Sequence, residues 1–348
     1  MKKYEELYSK IKEEILSGVY APDSKLPSKR VMSDMSGYSL ITVEKTYSIL
    51  EDEGYITAVE RKGYFVTGLD ISKKPLNRDR KIEYLKCEEP KEKNDFEYSV
   101  WNKCVRKVLN EYKEKLYQPC SGKGLPELRN AIADYLLRYR GMFAQPSDII
   151  IGSGAQQLYE IAVAIIGRNR IYATENPCYG QIPSVYRGVG VRTLPLKMGD
   201  DGIESTELNK NFDVLHITPF NSYPTGITTS INKRYEYLKS AVEKNRFIIE
   251  DDYDSEFFLP GHPIESLYSL DSERVIYINT FSKSLSASMR MGYMIIPKSL
   301  MKKYDEILGQ RACSVPVPDQ YFLSEFINSG SFERHLNRRR RALLRNCR

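Results

Sequence analysis

Lys283 lies in the run Asn279-Thr280-Phe281-Ser282-Lys283-Ser284, with Arg290 seven residues further on. Val275-Ile276-Tyr277-Ile278 precedes it and reads as a buried strand, so the amine is expected at a strand end facing a cleft. A lysine there condenses reversibly with an aldehyde, while Thr280, Ser282 and Arg290 offer the hydroxyls and guanidinium that a phosphate monoester takes. These groups suit the Schiff base and the phosphate of pyridoxal 5'-phosphate. A surface lysine beside a hydroxyl-rich turn would carry the same letters.

Upstream, Phe247-Ile248-Ile249 runs straight into Glu250-Asp251-Asp252-Tyr253-Asp254. A strand here puts Asp251 at its carboxyl end, where an acid pairs with a protonated pyridine nitrogen and keeps the ring an electron sink. Tyr253, two residues on, points to the same side and can reach the ring hydroxyl. The competing reading is a solvated acidic loop. Farther upstream, Ile149-Ile150-Ile151-Gly152-Ser153-Gly154-Ala155-Gln156-Gln157 passes from a strand into the apolar helical run Leu158 to Ile166. Such a helix start offers free N–H groups and a positive dipole end to a phosphate, although glycine also serves many strand-to-helix turns for geometry alone. Tyr179 could stack on the pyridine face, but it is one of 26 tyrosines.

Taken in order, these segments resemble the fold-type I pyridoxal-phosphate enzymes, the aspartate aminotransferase superfamily. The resemblance implies an internal aldimine on Lys283, Asp251 on the pyridine nitrogen, Tyr253 on the ring oxygen and Tyr179 stacked. It gives the phosphate to Ala155, Gln156, Ser282 and Arg290. It also implies a homodimer, with Tyr117 reaching the phosphate of the cofactor in the other subunit. One departure stands out. Ordinary aminotransferases carry an asparagine before Pro-Thr-Gly, and here Tyr223 precedes Pro224-Thr225-Gly226.

The first part of the chain contains elements that no aminotransferase requires. Tyr4, Leu7, Ile11 and Ile15 recur at helical spacing, and Gly18 and Pro22 end that helix. Leu26-Pro27-Ser28-Lys29-Arg30-Val31-Met32 reads as a capped short helix, Gly37-Tyr38 as a turn, and Ser39 to Glu53 as a helix burying Val43, Tyr47 and Leu50. Tyr55-Ile56-Thr57-Ala58-Val59 and Gly63-Tyr64-Phe65-Val66 flank Glu60-Arg61-Lys62 like a two-stranded wing with a basic tip. From Tyr4 to Val66 this segment resembles the winged helix-turn-helix of GntR-type repressors, on its "KLPSKR", "LEDEGYI" and "KGYFV" stretches.

Such a head before an aminotransferase-like body is the arrangement of the MocR-like regulators, whose bodies also tend to carry an aromatic residue before Pro-Thr-Gly and a sequence like "IIEDDYDSEF". The resemblance implies an α/β body with a mainly parallel sheet, and a transcription regulator that senses pyridoxal phosphate, or an amine or amino acid, through Lys283. It implies Lys29, Arg30, Ser39, Thr42, Lys45, Arg61 and Lys62 as contacts to a double-stranded operator. Leu40 stands where many GntR proteins have arginine. Residues 1 to 68 hold ten Lys/Arg against eleven Asp/Glu, so binding depends on the basic residues sharing a face, with Glu51-Asp52-Glu53 turned toward the body. Three alternatives stay open: an aminotransferase with an accessory winged helix, a body that no longer holds cofactor, and a winged helix that binds only protein.

The chain has 348 residues, a hydrophobic fraction of 41% and a formal charge of +6, which fits more than one core. The boundaries read as a head over 1–68, a charged linker from Leu69 to Asn94, and a body over 95–348 that opens with Trp101 on a helix running to Leu116. Cys87, Cys104, Cys120, Cys178, Cys313 and Cys347 are scattered, without metal-ligand spacing to His216, His262 or His335, and fit reduced thiols. No export signal or membrane-spanning stretch is evident, so a cytoplasmic protein is expected. Fold-type I chains usually continue for roughly a hundred residues past the large domain. Here Ser331 to Leu336 and the run Arg338 to Arg341 resemble the helix leading into that small domain, and without an evident substrate-gripping arginine negligible transaminase turnover is expected.

Overall fold

The computed structural model describes residues 3–59, 62–67, 98–257, 265–286 and 288–346. The expected linker and Arg61 lie outside them. The chain divides into two compact units, one of residues 1–95 with 333–348 and one of residues 96–332.

In the first unit, α1 (Lys3–Leu16), α2 (Lys29–Ser36) and α3 (Leu40–Asp52) are followed by the antiparallel pair β1 (Ile56–Val59) and β2 (Gly63–Val66). One side of each helix is apolar, and Leu7, Ile11, Ile15, Met32, Val43, Tyr47 and Leu50 meet Leu26, Ile56 and Val66 in a single small core. The two helix starts follow from their caps. Ser28 Oγ accepts from the Val31 amide and Ser39 Oγ from the Thr42 amide, each at 3.3 Å. Between them Gly37, at φ 72°, supplies the left-handed residue that ends α2.

The second unit continues with α4 (Tyr98–Tyr112), α5 (Pro126–Tyr135), β3 (Ile149–Gly152), α6 (Ala155–Ile166), β4 (Ile171–Asn176), α7 (Gln181–Gly188), β5 (Arg192–Gly199), β6 (Gly202–Ile203) and β7 (Val214–Ile217). Then come α8 (Ile231–Glu243), β8 (Phe247–Asp251), α9 (Leu267–Leu270), β9 (Val275–Thr280), α10 (Phe281–Ser284), β10 (Gly292–Ile295), α11 (Lys298–Leu308), α12 (Val317–Asn328) and the start of α13 (Ser331–Asn346). The helix bearing Trp101 stops short of Leu116. Lys113 takes φ 40°, which an α-helix cannot continue through, and a 3-10 turn over Lys113–Tyr117 follows.

Eight strands form one sheet in the order β3-β10-β9-β8-β7-β4-β5-β6. Strands β5, β4, β7, β8 and β9 are parallel. Strand β10 runs antiparallel between β3 and β9, so the sheet is mixed and mainly parallel. The central strands are buried along their whole length, as unbroken apolar runs in a sheet covered on both faces must be. Helices α6, α7 and α11 pack one face through Leu158, Ala162, Ile165, Ile182, Tyr186 and Tyr304. Among the described residues no helix is long and apolar enough to cross a membrane.

This topology brings the carboxyl ends of β4, β7, β8 and β9 to one edge, where ligands of open α/β sheets sit. Fully buried Arg234 of α8 fixes a neighbouring loop. Its guanidinium donates to the carbonyls of Pro219 at 3.2 Å and Thr229 at 3.3 Å, the two ends of the stretch that carries Asn221 and Tyr223.

Candidate functional site

Asp251 closes β8 and is 5% exposed. The Tyr159 hydroxyl, from α6, donates to its Oδ2, and His216 Nε2, from β7, lies 3.8 Å from that same oxygen. Burial, then the charge of Asp251, pushes the Tyr159 phenol well up, so it stays a donor near neutral pH. Oδ1 has no hydrogen-bond partner among the described residues. A buried carboxylate oxygen without a donor is costly. A protonated pyridine N–H is the kind of group that would satisfy it.

Lys283 sits in α10, one residue past Ser282 and three past Thr280, the last residue of β9. Its amine lies 2.8 Å from Asp254 Oδ1 and 5.1 Å from the centre of the Tyr253 ring. Asn221 ties these together, because its side-chain amide donates to Asp254 Oδ2 while its carbonyl accepts from the Tyr253 hydroxyl at 2.7 Å. Neither Asn221 nor Asp254 was expected at the site. A signal exists for both, since Asp254 ends the acidic run after β8 and Asn221 lies two residues before the Tyr223 that replaces the usual asparagine.

The end where a phosphate is expected is set by strand register. Gly292 of β10 pairs with Gly152 on one side and with Thr280 on the other, which sets the β3–α6 turn, Arg290 and the Thr280-to-Lys283 segment side by side. Gly154, at φ 91°, caps α6 with no side-chain acceptor, so the amides of Ala155 and Gln156 open the helix without a side-chain cap. A Cβ at Gly154 would stand 3.4 Å from Arg290 Nη2. The guanidinium therefore lies over the turn, beside the helix N-terminus. Gln157 Oε1 holds the turn's shape by accepting from the Ser153 amide at 2.7 Å and from Ser314 Oγ at 2.5 Å. The Gln156 side chain instead turns along its own helix to Glu160, at 3.2 Å.

Tyr179 and Tyr223 flank the opening with their rings edge to face, 6.0 Å apart, both about half exposed. Behind them Glu175 is buried at the end of β4 and accepts from Ser222 Oγ at 2.7 Å. Burial pushes this carboxyl up to about 8. Tyr117 is 90% exposed on its short helix.

In the first unit the candidate DNA contacts occupy varied settings. Ser39 and Thr42 hydroxyls lie 2.9 Å apart at the start of α3. Lys29 is paired with Glu44 at 2.8 Å, and Lys45 lies 4.1 Å above the Tyr4 ring. Arg30 and Lys62 are exposed, as are Leu40 and Ile41 on the first turn of α3. Glu53 accepts from Tyr8 and Lys12, one turn apart on α1, Lys12 at 3.5 Å.

Residues 3–66 match the gntR family of bacterial regulatory proteins, and residues 92–348 match the class I and II aminotransferases. Over 97% of its length the chain is 35% identical to the uncharacterized HTH-type transcriptional regulator YdeL of Bacillus subtilis, spanning 76% of that protein. It is 29% identical to the probable rhizopine catabolism regulatory protein MocR of Rhizobium meliloti, spanning 74% of it. The HTH-type pyridoxine biosynthesis transcriptional regulator PdxR of Corynebacterium glutamicum is 26% identical over 97% of the chain, which spans 75% of PdxR. Among solved structures, an archaeal alanine:glyoxylate aminotransferase superposes with a TM-score of 0.64 at 24% identity. That match covers 69% of this chain and 62% of the aminotransferase, less than two thirds of its length, and it shows the fold.

Proposed function

The chain belongs to the MocR-like regulators, gntR-type heads joined to aminotransferase-like bodies, and on that premise we propose that it binds duplex DNA through the head and pyridoxal 5'-phosphate through the body, the second event tuning the first. Asp251 carries the cofactor reading, being a buried carboxylate at a strand end with one oxygen held by Tyr159 and the other lacking a donor among the described residues. When bound, pyridoxal phosphate supplies an aldehyde for a lysine amine and a ring that withdraws electrons. Lys283 offers that amine, and Asp254 orients it. Arg290, the Ala155 and Gln156 amides, Thr280 and Ser282 hold the phosphate, with the dipole of α6 adding its positive end.

Tyr179 covers the ring and Tyr253 reaches its oxygen. Tyr117, exposed in one copy, serves the phosphate of the cofactor in a second copy, which makes the working form a homodimer. Lys29, Arg30, Lys45, Arg61 and Lys62 take DNA phosphates, and Ser39 and Thr42 stand at the start of the helix that enters the groove. Pyridoxal phosphate is the favoured effector, a reading that the name of the relative PdxR supports. An amine or amino acid that competes for Lys283 is the other candidate.

The test starts with absorbance of the purified full chain titrated with pyridoxal phosphate, expected to develop a visible band that Lys283→Ala abolishes. An unchanged band in that variant would overturn the site. A duplex selected from random sequence should then bind with an affinity that falls steeply with salt, drops in Arg30→Ala, and changes when the cofactor is added. Indifference to cofactor would remove the coupling, and sustained keto-acid production from amino acids would make the chain an enzyme.

A further inference from the structure

Cys120 and Cys313 are far apart in the chain and meet in the fold. Cys120 lies in the loop between Tyr117 and α5, and Cys313 in the loop between α11 and α12. The buried amide of Gln320, on α12, joins the two loops. Its nitrogen is 3.5 Å from Cys120 Sγ and 3.6 Å from Cys313 Sγ, and also donates to the Val315 carbonyl at 2.8 Å. Its oxygen accepts from the Leu125 amide at 2.7 Å. The two backbones are in tight contact, because a Cβ on Gly122 would stand only 2.7 Å from the Arg311 carbonyl oxygen. Both residues are partly exposed, unlike buried Cys104.

We propose that Cys120 and Cys313 form a redox site, a dithiol that a hydroperoxide converts to an intramolecular disulfide. The Cys120 thiolate attacks the O–O bond of the peroxide, so that its sulfur gains a hydroxyl and hydroxide or alkoxide leaves. The Cys313 sulfur then attacks the oxidised sulfur, an S–S bond forms, and the hydroxyl departs as water with the Cys313 proton. Two electrons pass from the thiols to the peroxide, and an external thiol reverses the change. The local chemistry favours Cys120 as the attacking sulfur. The neighbouring Cys313 thiol holds Cys120 down to about 6, and the Cys120 neighbour, together with burial, pushes Cys313 up.

The pair also borders the cleft. Ser314, next to Cys313, donates to the Gln157 oxygen that holds the Ser153 amide in the turn before Gly154. Cys313 Sγ itself lies 3.7 Å from the carbonyl oxygen of Ile151, in β3. Drawing the sulfurs together shifts both the turn under Arg290 and the loop after Tyr117, so oxidation changes cofactor affinity. That consequence rests on the function proposed above, whereas disulfide formation does not.

The experiment treats the reduced full chain with hydrogen peroxide, alkylates remaining thiols, and maps peptides by mass spectrometry. A monomer-derived peptide linking Cys120 to Cys313, lighter by two hydrogens and released by dithiothreitol, is expected, while Cys104 stays alkylated. Cys313→Ser should leave Cys120 as a sulfenic acid that dimedone traps, and Cys120→Ser should lose both products. No linked peptide, or links scattered among other cysteines, would overturn the redox site. Pyridoxal phosphate titrations of the reduced and oxidised chain should differ severalfold in affinity, and equal affinities would overturn the link to the cleft. If neither form binds cofactor while the linked peptide is found, the cofactor reading fails and the redox site stands.

Discussion

The two oxygens of Asp251 have different tasks. Oδ2 is held by the Tyr159 hydroxyl, which fixes the carboxylate plane, and Oδ1 is left to accept from something the described residues do not supply. Asp251→Asn separates these tasks, because an amide oxygen still accepts from Tyr159 while the NH2 group faces the position where an acceptor is needed. A charged hydrogen bond contributes about 1.5–3 kcal/mol, so pyridoxal phosphate should bind this variant about tenfold more weakly or worse, with a shifted absorbance maximum. Equal affinity and an unchanged spectrum in the titration would refute the role. Asp251 was legible because an apolar strand ran directly into it. Tyr159 and His216 were not, since their approach depends on how α6 and β7 are set against β8. Sequence periodicity carries no such cross-element register.

The same contrast holds for elements. The starts of α2 and α3 could be read from Ser28 and Ser39, because a cap is a local exchange between a hydroxyl and amides two or three residues away. The end of α4 could not, since it is set by a positive φ at Lys113, a residue type that gives no warning of it. Nor could the meeting of Gly152, Arg290 and Thr280, which follows from β10 inserting antiparallel between β3 and β9. Caps therefore allow a sharp prediction at this scale. Ser28→Ala removes the acceptor of the Val31 amide and should destabilise α2 by about 1 kcal/mol. Amide hydrogen exchange over residues 29–36 should quicken about fivefold, while exchange in β8 and β9 stays unchanged. A uniform change across both units would mean that the cap is not acting locally.

At the scale of the molecule, Glu175, Glu250 and Glu256 stand out among the buried carboxyls of the body. Burial raises Glu175 to about 8, and Glu250 and Glu256 each to about 7, from an ordinary value near 4.5. Glu250 is partly offset by Arg234, 3.8 Å away, and Glu256 by Arg140 and by a 2.6 Å bond from Asn279. Among the described residues Glu175 has no such cation, only Ser222 and a backbone bond. The sign follows from proton counts. Between about 4.5 and 8 the unfolded chain has released the Glu175 proton and the folded chain still holds it, so unfolding releases a proton and stability falls as pH rises. A tenfold difference in proton affinity between the two states is worth about 1.4 kcal/mol, so the loss attributable to this one carboxyl amounts to a few kcal/mol. Denaturant unfolding of the full chain across that window should therefore show declining stability of the body. Glu175→Gln, which keeps an acceptor for Ser222 but has no proton to release, should flatten the slope and leave the variant relatively more stable at the alkaline end. A slope identical in wild type and variant would mean that Glu175 ionises in the folded state at an ordinary pH, with water or a cation reaching it behind Tyr179 and Tyr223.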